Sequence, residues 1–208
     1  MCGFFIAYLN VPPFIATLAM MEIVYGIGLI VTNATPLGGY VEQYTNVSNG
    51  KFLGINYLIW IAIIVAAITW FIFNMTRHGK YMYAIGGNPQ AAEVAGVPVK
   101  ATLILIYMKA AAMYGLAGFM LGAKAGGASV QTGYGYEMEA IAACTIGGVS
   151  VTGGRGKVSS AIIGVAVFEL LKVALQYLGM NANAQYIAIG VVIFIAISLD
   201  IRKYIARK

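Results

Sequence analysis

Arg77-His-Gly-Lys-Tyr-Met-Tyr-Ala-Ile-Gly-Gly-Asn-Pro-Gln-Ala-Ala-Glu-Val-Ala-Gly-Val-Pro-Val-Lys100 is a polar, basic island between two long apolar runs. It reads as a short helix and a turn, with charge at both ends. Nearly everything else in the chain reads as lipid-embedded helix. A compact polar element on the basic side of a membrane protein suggests a docking surface for a soluble partner.

The apolar runs on either side decide the fold class. The chain has 208 residues, 61% of them hydrophobic and 10% charged, with a mean hydropathy of +0.83. A soluble domain carries roughly 25% charged residues. The candidate spans are Phe14–Thr32, Tyr57–Asn74, Ala101–Gly122, Val158–Leu178 and Ala184–Asp200. Each is close to the ~20 residues that cross ~30 Å of hydrocarbon as a helix. Met1–Leu9 reads as the end of another apolar helix, so the chain is expected to open mid-protein.

The net charge is +6, and its placement orients the bundle. Arg77, Lys80, Lys100, Arg155, Lys157, Arg202, Lys203, Arg207 and Lys208 fall in Asn74–Lys100, Ser150–Lys157 and the tail after Asp200. The opposite loops, Asn33–Asn56 and Ala123–Met138, hold only Lys51 and Lys124. The positive-inside rule puts the first set, and with it the C-terminus, in the cytoplasm. A nucleic-acid partner is set aside, because the basic residues trail helix ends and form no stripe with aromatics. Cys2 and Cys144 sit in apolar sequence without metal-type spacing and read as small buried hydrophobes.

Pro12-Pro13 breaks the first apolar stretch from the second and is expected to open the helix from Phe14. Asn33–Asn56 is rich in Gly, Asn and Thr and reads as an external loop with turns. In Ala101–Gly122, Ala111, Gly115, Gly118 and Gly122 form one stripe. Small residues let helix backbones touch in a bilayer, so a tightly packed core helix is expected there. Beyond it the chain becomes irregular. Gly126–Glu137 is flexible and polar, and Met138–Ile146 is a short apolar helix. Gly147-Gly148 and Gly153-Gly154-Arg155-Gly156 follow. A helix too short to cross, with glycine breaks at both ends, suggests a discontinuous or re-entrant element lining a path. An ordinary extended loop is the other reading. Candidate path residues are Gln131, Thr132, Tyr134, Tyr136 and Glu137, the tyrosines either stacking on a sugar ring or belonging to an interfacial belt.

No hydrolase constellation stands out, and His78 is the only histidine, so a His-based metal site is excluded. Gly154-Arg155-Gly156-Lys157 fails as a phosphate loop, because Val151 stands where the earlier glycine belongs and Val158 follows the lysine. Glu22, Lys109, Glu169 and Lys172 are intramembrane charges and count as functional candidates. Glu169 and Lys172 are spaced to pair on one helix, and Lys109 could approach Glu22 across helices. An ion or proton relay through these groups is the competing reading.

Taken in order, these blocks resemble the permease subunit of bacterial ABC importers for simple sugars, of the ribose and galactose/methyl-galactoside type. The matching stretches are Val11–Leu18, Gly79–Pro89, Ala91-Ala92 through Ala95-Gly96-Val97, and Gly133–Glu137. Ala140–Ala143, Ile146–Gly148, Gly153–Gly156 and Leu199–Arg202 complete them. The resemblance covers essentially the whole chain, with galactoside slightly favoured over ribose through Ala142-Ala143-Cys144 and Asp200–Tyr204. Family members continue upstream with further helices, so residues 1–208 are expected to be one permease domain, the C-terminal portion of a longer permease.

The resemblance implies an all-α, polytopic transmembrane bundle with a short cytoplasmic coupling helix, in the bacterial plasma (inner) membrane. It implies a second permease copy, ABC ATPase subunits below, and a periplasmic or extracellular sugar-binding protein above. ATP would be held and hydrolysed on the separate ATPase, with no cofactor on this chain and no enzyme activity of its own. Gly86, Gly87, Asn88, Pro89, Ala91, Ala92, Glu93 and Gly96 would form the segment seated in the ATPase. The local chemistry agrees. Asn88 is a good N-cap, Pro89 suits the first helical position, and Gly96 can end the helix left-handed. The alternative function is an ion- or proton-coupled secondary carrier.

Overall fold

The computed structural model describes residues 1–205. Arg207 and Lys208, part of the basic tail that the charge pattern places in the cytoplasm, lie outside the described residues, as do the side chains of Leu199, Lys203 and Tyr204. In chain order the elements are α1 (Cys2–Leu9), α2 (Pro13–Thr32), β1 (Leu37–Gly38), α3 (Glu42–Asn49), β2 (Lys51–Phe52) and β3 (Ile55–Asn56). Then come α4 (Tyr57–Met75), α5 (Arg77–Gly87), α6 (Pro89–Val94), α7 (Val99–Ala125), β4 (Gly127–Ala128) and α8 (Tyr136–Ile146). The last two are α9 (Val158–Tyr177) and α10 (Ala182–Ile205). The protein is an all-α membrane protein whose strands are two-residue pairs in loops.

Five helices are long and apolar enough to cross a membrane: Pro13–Thr32, Tyr57–Met75, Val99–Ala125, Val158–Tyr177 and Asn183–Arg202. They match the five spans read from the apolar runs. Pro12 is the N-cap of α2 and Pro13 its first residue, where a missing N–H costs no intrahelical bond. α2 and α4 bury no residue within this chain, so both present their apolar surface outward, as helices solvated by lipid do.

Two compact units divide the chain, Met1–Ile68 with Glu93–Tyr134, and Thr69–Ala92 with Gly135–Lys208. In the first, α1 packs on α7. Gly3 permits this, because a Cβ there would lie 3.0 Å from the Ile104 Cα. Residues 33–56 are more ordered than their turn-rich composition suggests. Within them α3 docks on the end of α7, where the Tyr44 hydroxyl donates to the Phe119 carbonyl (2.7 Å) and Ser48 Oγ to that of Met120 (3.1 Å). β1 pairs antiparallel with β4, Leu37 opposite Ala128. The two loops with few basic residues therefore meet on one end of α7.

The small-residue stripe of α7 differs from expectation. Only Gly122 is closely approached, by the Tyr44 hydroxyl, whereas Gly115 and Gly118 have nothing within 4 Å of a would-be Cβ. Among the described residues of this unit, no second helix reaches those two glycines. Close packing occurs instead in the second unit, where α8 lies antiparallel on α9. A Cβ on Gly164 would overlap the Ala143 carbonyl oxygen, and one on Gly147 would overlap that of Ser160. Ala142, Ala143, Phe168 and Ile189 form the core there, with Ile146 and Ile193 against it.

These contacts separate two glycines of equal helix propensity. Gly164→Ala should destabilise the detergent-solubilised protein by about 2 kcal/mol or more, since overpacking forces α8 and α9 apart. Gly118→Ala should be neutral or stabilise by about 0.5–1 kcal/mol, because it only removes unfolded-chain freedom. Thermal unfolding of the two variants measures the contrast, and equal destabilisation would contradict this account.

Candidate functional site

The basic island folds as two helices broken at Asn88. Thr76 caps α5, its Oγ1 accepting from the Gly79 N–H at 3.1 Å. Gly86 and Gly87 form the last turn of α5 rather than part of the short helix that follows. Asn88 then caps α6, with its Oδ1 accepting from the Ala91 N–H at 3.0 Å. Pro89 is the first residue of α6. Gly96 stands at φ +82°, left-handed, where a β-branched residue would be strained. Ala91, Glu93 and Ala95 are exposed, as is Val94 at 91%, while Ala92 is buried. The element is a short, stiff body with an uncovered apolar side, a form suited to insertion in a groove.

The base of this element is held by the turn between α8 and α9. The Gly86 backbone lies directly against Gly153 and Gly154. A Cβ on Gly154 would stand 2.7 Å from the Gly87 nitrogen, and one on Gly86 would overlap the Gly154 nitrogen. Only glycine permits so close a backbone approach. Next to it the Tyr83 hydroxyl donates to the Gly156 carbonyl at 2.8 Å. From the other side, Asp200 of α10 accepts from Ser150 Oγ (3.0 Å) and from the Val151 N–H (3.1 Å). The end of α5, the turn before α9 and Asp200 of α10 thus converge in one place. Tyr83 and Asp200 both lie in matching stretches, Gly79–Pro89 and Leu199–Arg202, but nothing in the sequence names their partners.

α8 is the short helix expected between the glycine breaks. Its 11 residues span about 16 Å, roughly half the hydrocarbon thickness. Its first turn carries Glu137 and Glu139, where acidic groups complement the helix dipole. Lys172 of α9 donates to Glu139 Oε2 at 2.8 Å and lies 3.6 Å from Glu169 Oε1. The expected pairing of Glu169 with Lys172 is present but is the weaker contact. The Lys172 and Glu139 side chains are each 22% exposed, against 58% for Glu169. Glu139 escaped the sequence reading because its partner lies on another helix. The same cost argument that singles out the other intramembrane charges applies to it. Lys109 and Glu22 do not pair; among the described residues every ion pair is made by Lys172. Glu22 instead faces outward on α2.

The candidate path residues fall in different surroundings. Gln131, Thr132 and Tyr134 belong to a turn in the first unit, where the Thr132 hydroxyl accepts from the Ser129 N–H at 2.8 Å and the Tyr134 N–H donates to the Gln131 carbonyl at 3.0 Å. Tyr136 and Glu137 open α8 in the second unit, and both tyrosines are exposed. A separate cleft of about 340 Å³ between α8 and α10 is lined mainly by Ile146, Val192, Ile195 and Ala196, with Thr145 and Asp200 at its polar edge. Thr145 Oγ1 is already bonded to the Ile141 carbonyl, and Asp200 to the turn. The cleft thus offers little to the hydroxyl groups of a sugar.

Residues 1–197 match the family described as "Branched-chain amino acid transport system / permease component". The chain belongs to this permease family. Within it, the chain is 41% identical to the galactose/methyl galactoside import permease protein MglC of Haemophilus influenzae, over 99% of this chain and 63% of that protein. The same values hold for the MglC protein of Escherichia coli K12. Identity to the ribose import permease protein RbsC of Bacillus subtilis is 36%, over 97% of this chain and 63% of that protein. The chain therefore spans about 63% of the length of these curated permeases. No solved structure matches it.

The ion-pair geometry ranks two neutralising changes. Glu139→Gln should destabilise the protein by about 1–2 kcal/mol, because it leaves Lys172 partly buried beside a mostly solvated carboxylate. Glu169→Gln should cost under about 0.5 kcal/mol, since that pair is long and exposed. Thermal melts in lipid nanodiscs measure both, and the reverse order would show that Glu169 is the principal partner.

Proposed function

We propose that the chain is the translocation part of a permease subunit of an ATP-driven sugar importer, with galactose or methyl galactoside as first substrate and ribose as second. The observation that carries this reading is 41% identity, over 99% of the chain, to proteins named galactose/methyl galactoside import permease. The lower identity to ribose permeases sets the order of substrates. The subunit sits in the bacterial plasma membrane with its C-terminus inside. It acts as a homodimer, takes sugar from a soluble binding protein outside, and docks an ABC ATPase inside. That ATPase holds the nucleotide.

The geometry supports α6 as the ATPase contact. It is capped at both ends, and Ala91 and Val94 stand exposed on it while Ala92 is buried. Its base is wedged by Gly86 against the turn before α9, so a push on α6 reaches the transmembrane helices through backbone contact. The Lys172 cluster favours the importer over an ion-coupled carrier. Its cation is paired closely with Glu139 at 2.8 Å, which accounts for that charge without a relay.

Three measurements test this. Uptake in vesicles containing the whole transporter should favour galactose over ribose. Saturation by ribose alone would move the substrate to the second choice. For orientation, a membrane-impermeant thiol reagent applied outside should label Asn46→Cys and miss Gln90→Cys, and the reverse pattern would invert the topology. For coupling, Gly96→Val should lower sugar-stimulated ATP hydrolysis and uptake about tenfold or more. It places a β-branched residue in a left-handed conformation that costs about 1–2 kcal/mol or more. Glu93→Ala removes an exposed charge worth about 1 kcal/mol or less and should change both less than fivefold. Normal coupling after deletion of residues 88–96 would refute the importer reading.

A further inference from the structure

The hairpin β2–β3 has a tip that its own conformational preferences do not explain. Lys51 pairs with Asn56 and Phe52 with Ile55, leaving Leu53-Gly54 as a two-residue turn. Leu53 stands at φ +53° and Gly54 at φ +80°. A turn with both central residues left-handed favours Asn, Asp or Gly at the first of them. Leucine is disfavoured there, and this one is 79% exposed. Phe52 and Ile55 beside it are exposed as well. A strained residue in such a place points to a role outside the fold.

The neighbours of the hairpin fix its depth. Trp60, in the first turn of α4, donates its indole N–H to the Phe52 carbonyl at 3.3 Å, and the two rings meet edge to face at 6.2 Å. Tyr57 begins α4, and the Gly50 backbone packs against its ring. Tyrosine and tryptophan at the start of a lipid-facing span mark the headgroup level. The hairpin folds back onto that turn, so its tip lies at the same level, in continuity with the outward apolar surface of α4. Lys51, exposed on the same hairpin, can extend its ammonium to lipid phosphate while its stem stays with apolar neighbours.

We propose that the hairpin of residues 51–56 is an interfacial anchor, inserting Phe52, Leu53 and Ile55 into the headgroup–acyl boundary at the α4 end of the membrane. The test is a nitroxide spin label on Leu53→Cys in an otherwise cysteine-free, whole transporter reconstituted in phosphatidylcholine/phosphatidylglycerol nanodiscs. Asn46→Cys on α3 is the control. The ratio of oxygen to nickel-chelate accessibility should be at least threefold higher at Leu53 than at Asn46, and in detergent that label should become more mobile. A label on Ile55→Cys should show the same bias. With Leu53→Asn added, which suits the turn and is polar, the ratio at Ile55 should fall about twofold. Equal accessibility of Leu53 and Asn46 to the water-soluble chelate would overturn the proposal. So would immobilisation of the Leu53 label only on addition of a soluble sugar-binding protein, which would make the tip a protein-docking surface. The readout needs no transport, so failure of the importer reading leaves it intact.

Discussion

A helix that ends packed against its neighbours leaves carbonyls without intrahelical partners and N–H groups beyond them, and those out of reach of water must find a partner inside the protein. The second unit is arranged around that demand at the end of α8. The Gly147 and Gly148 N–H groups return to Ala143 and Thr145, Val149 reaches back to Cys144, and Ser150 bonds to Arg155 across its own turn. The Val151 N–H is taken by Asp200 from α10. Close approach of α9 at Gly164 then packs the C-terminal turns of α8 against α9. Remove these bonds and the turn that follows α8 has no fixed position.

The same turn is also where α5 meets the second unit's core helices. Gly153 and Gly154 admit the Gly86 backbone, and Tyr83 ties α5 to Gly156. One set of contacts therefore satisfies the end of α8 and fixes the base of α6. Structural need and the transmission proposed for α6 coincide there. A backbone-on-backbone contact suits transmission because it contains no flexible side chain in which displacement could be lost.

What the sequence revealed and what it hid follow the range of the interactions. The five spans are legible because hydropathy is a property of contiguous residues. The capped helix at Asn88-Pro89 and the left-handed Gly96 are legible because caps act within a few positions. Glu139 with Lys172, Tyr83 with Gly156 and Asp200 with Val151 are not, because each joins segments distant in the chain and their residue types are common. The stripe at Gly115 and Gly118 shows a different limit. The spacing identifies a surface that would tolerate close packing, yet does not say that this chain fills it. The ordering of α3 was missed for a similar reason, since composition reports turn residues but not the carbonyls of α7 to which Tyr44 and Ser48 bind.

The length of α7 has a mechanical consequence. Its 27 residues extend about 40 Å at 1.5 Å per residue, against roughly 30 Å of hydrocarbon. The spans of 19 or 20 residues fit that thickness without adjustment. α7 must either lean by roughly 40° or carry its ends past the acyl region. Lys100 and Lys124, one near each end, favour the second. They stand about 36 Å apart along the axis, near the separation of the two phosphate layers. The helix therefore acts as a gauge of bilayer thickness: in a thinner membrane both lysines would protrude, and in a thicker one the acyl chains would have to shorten around them.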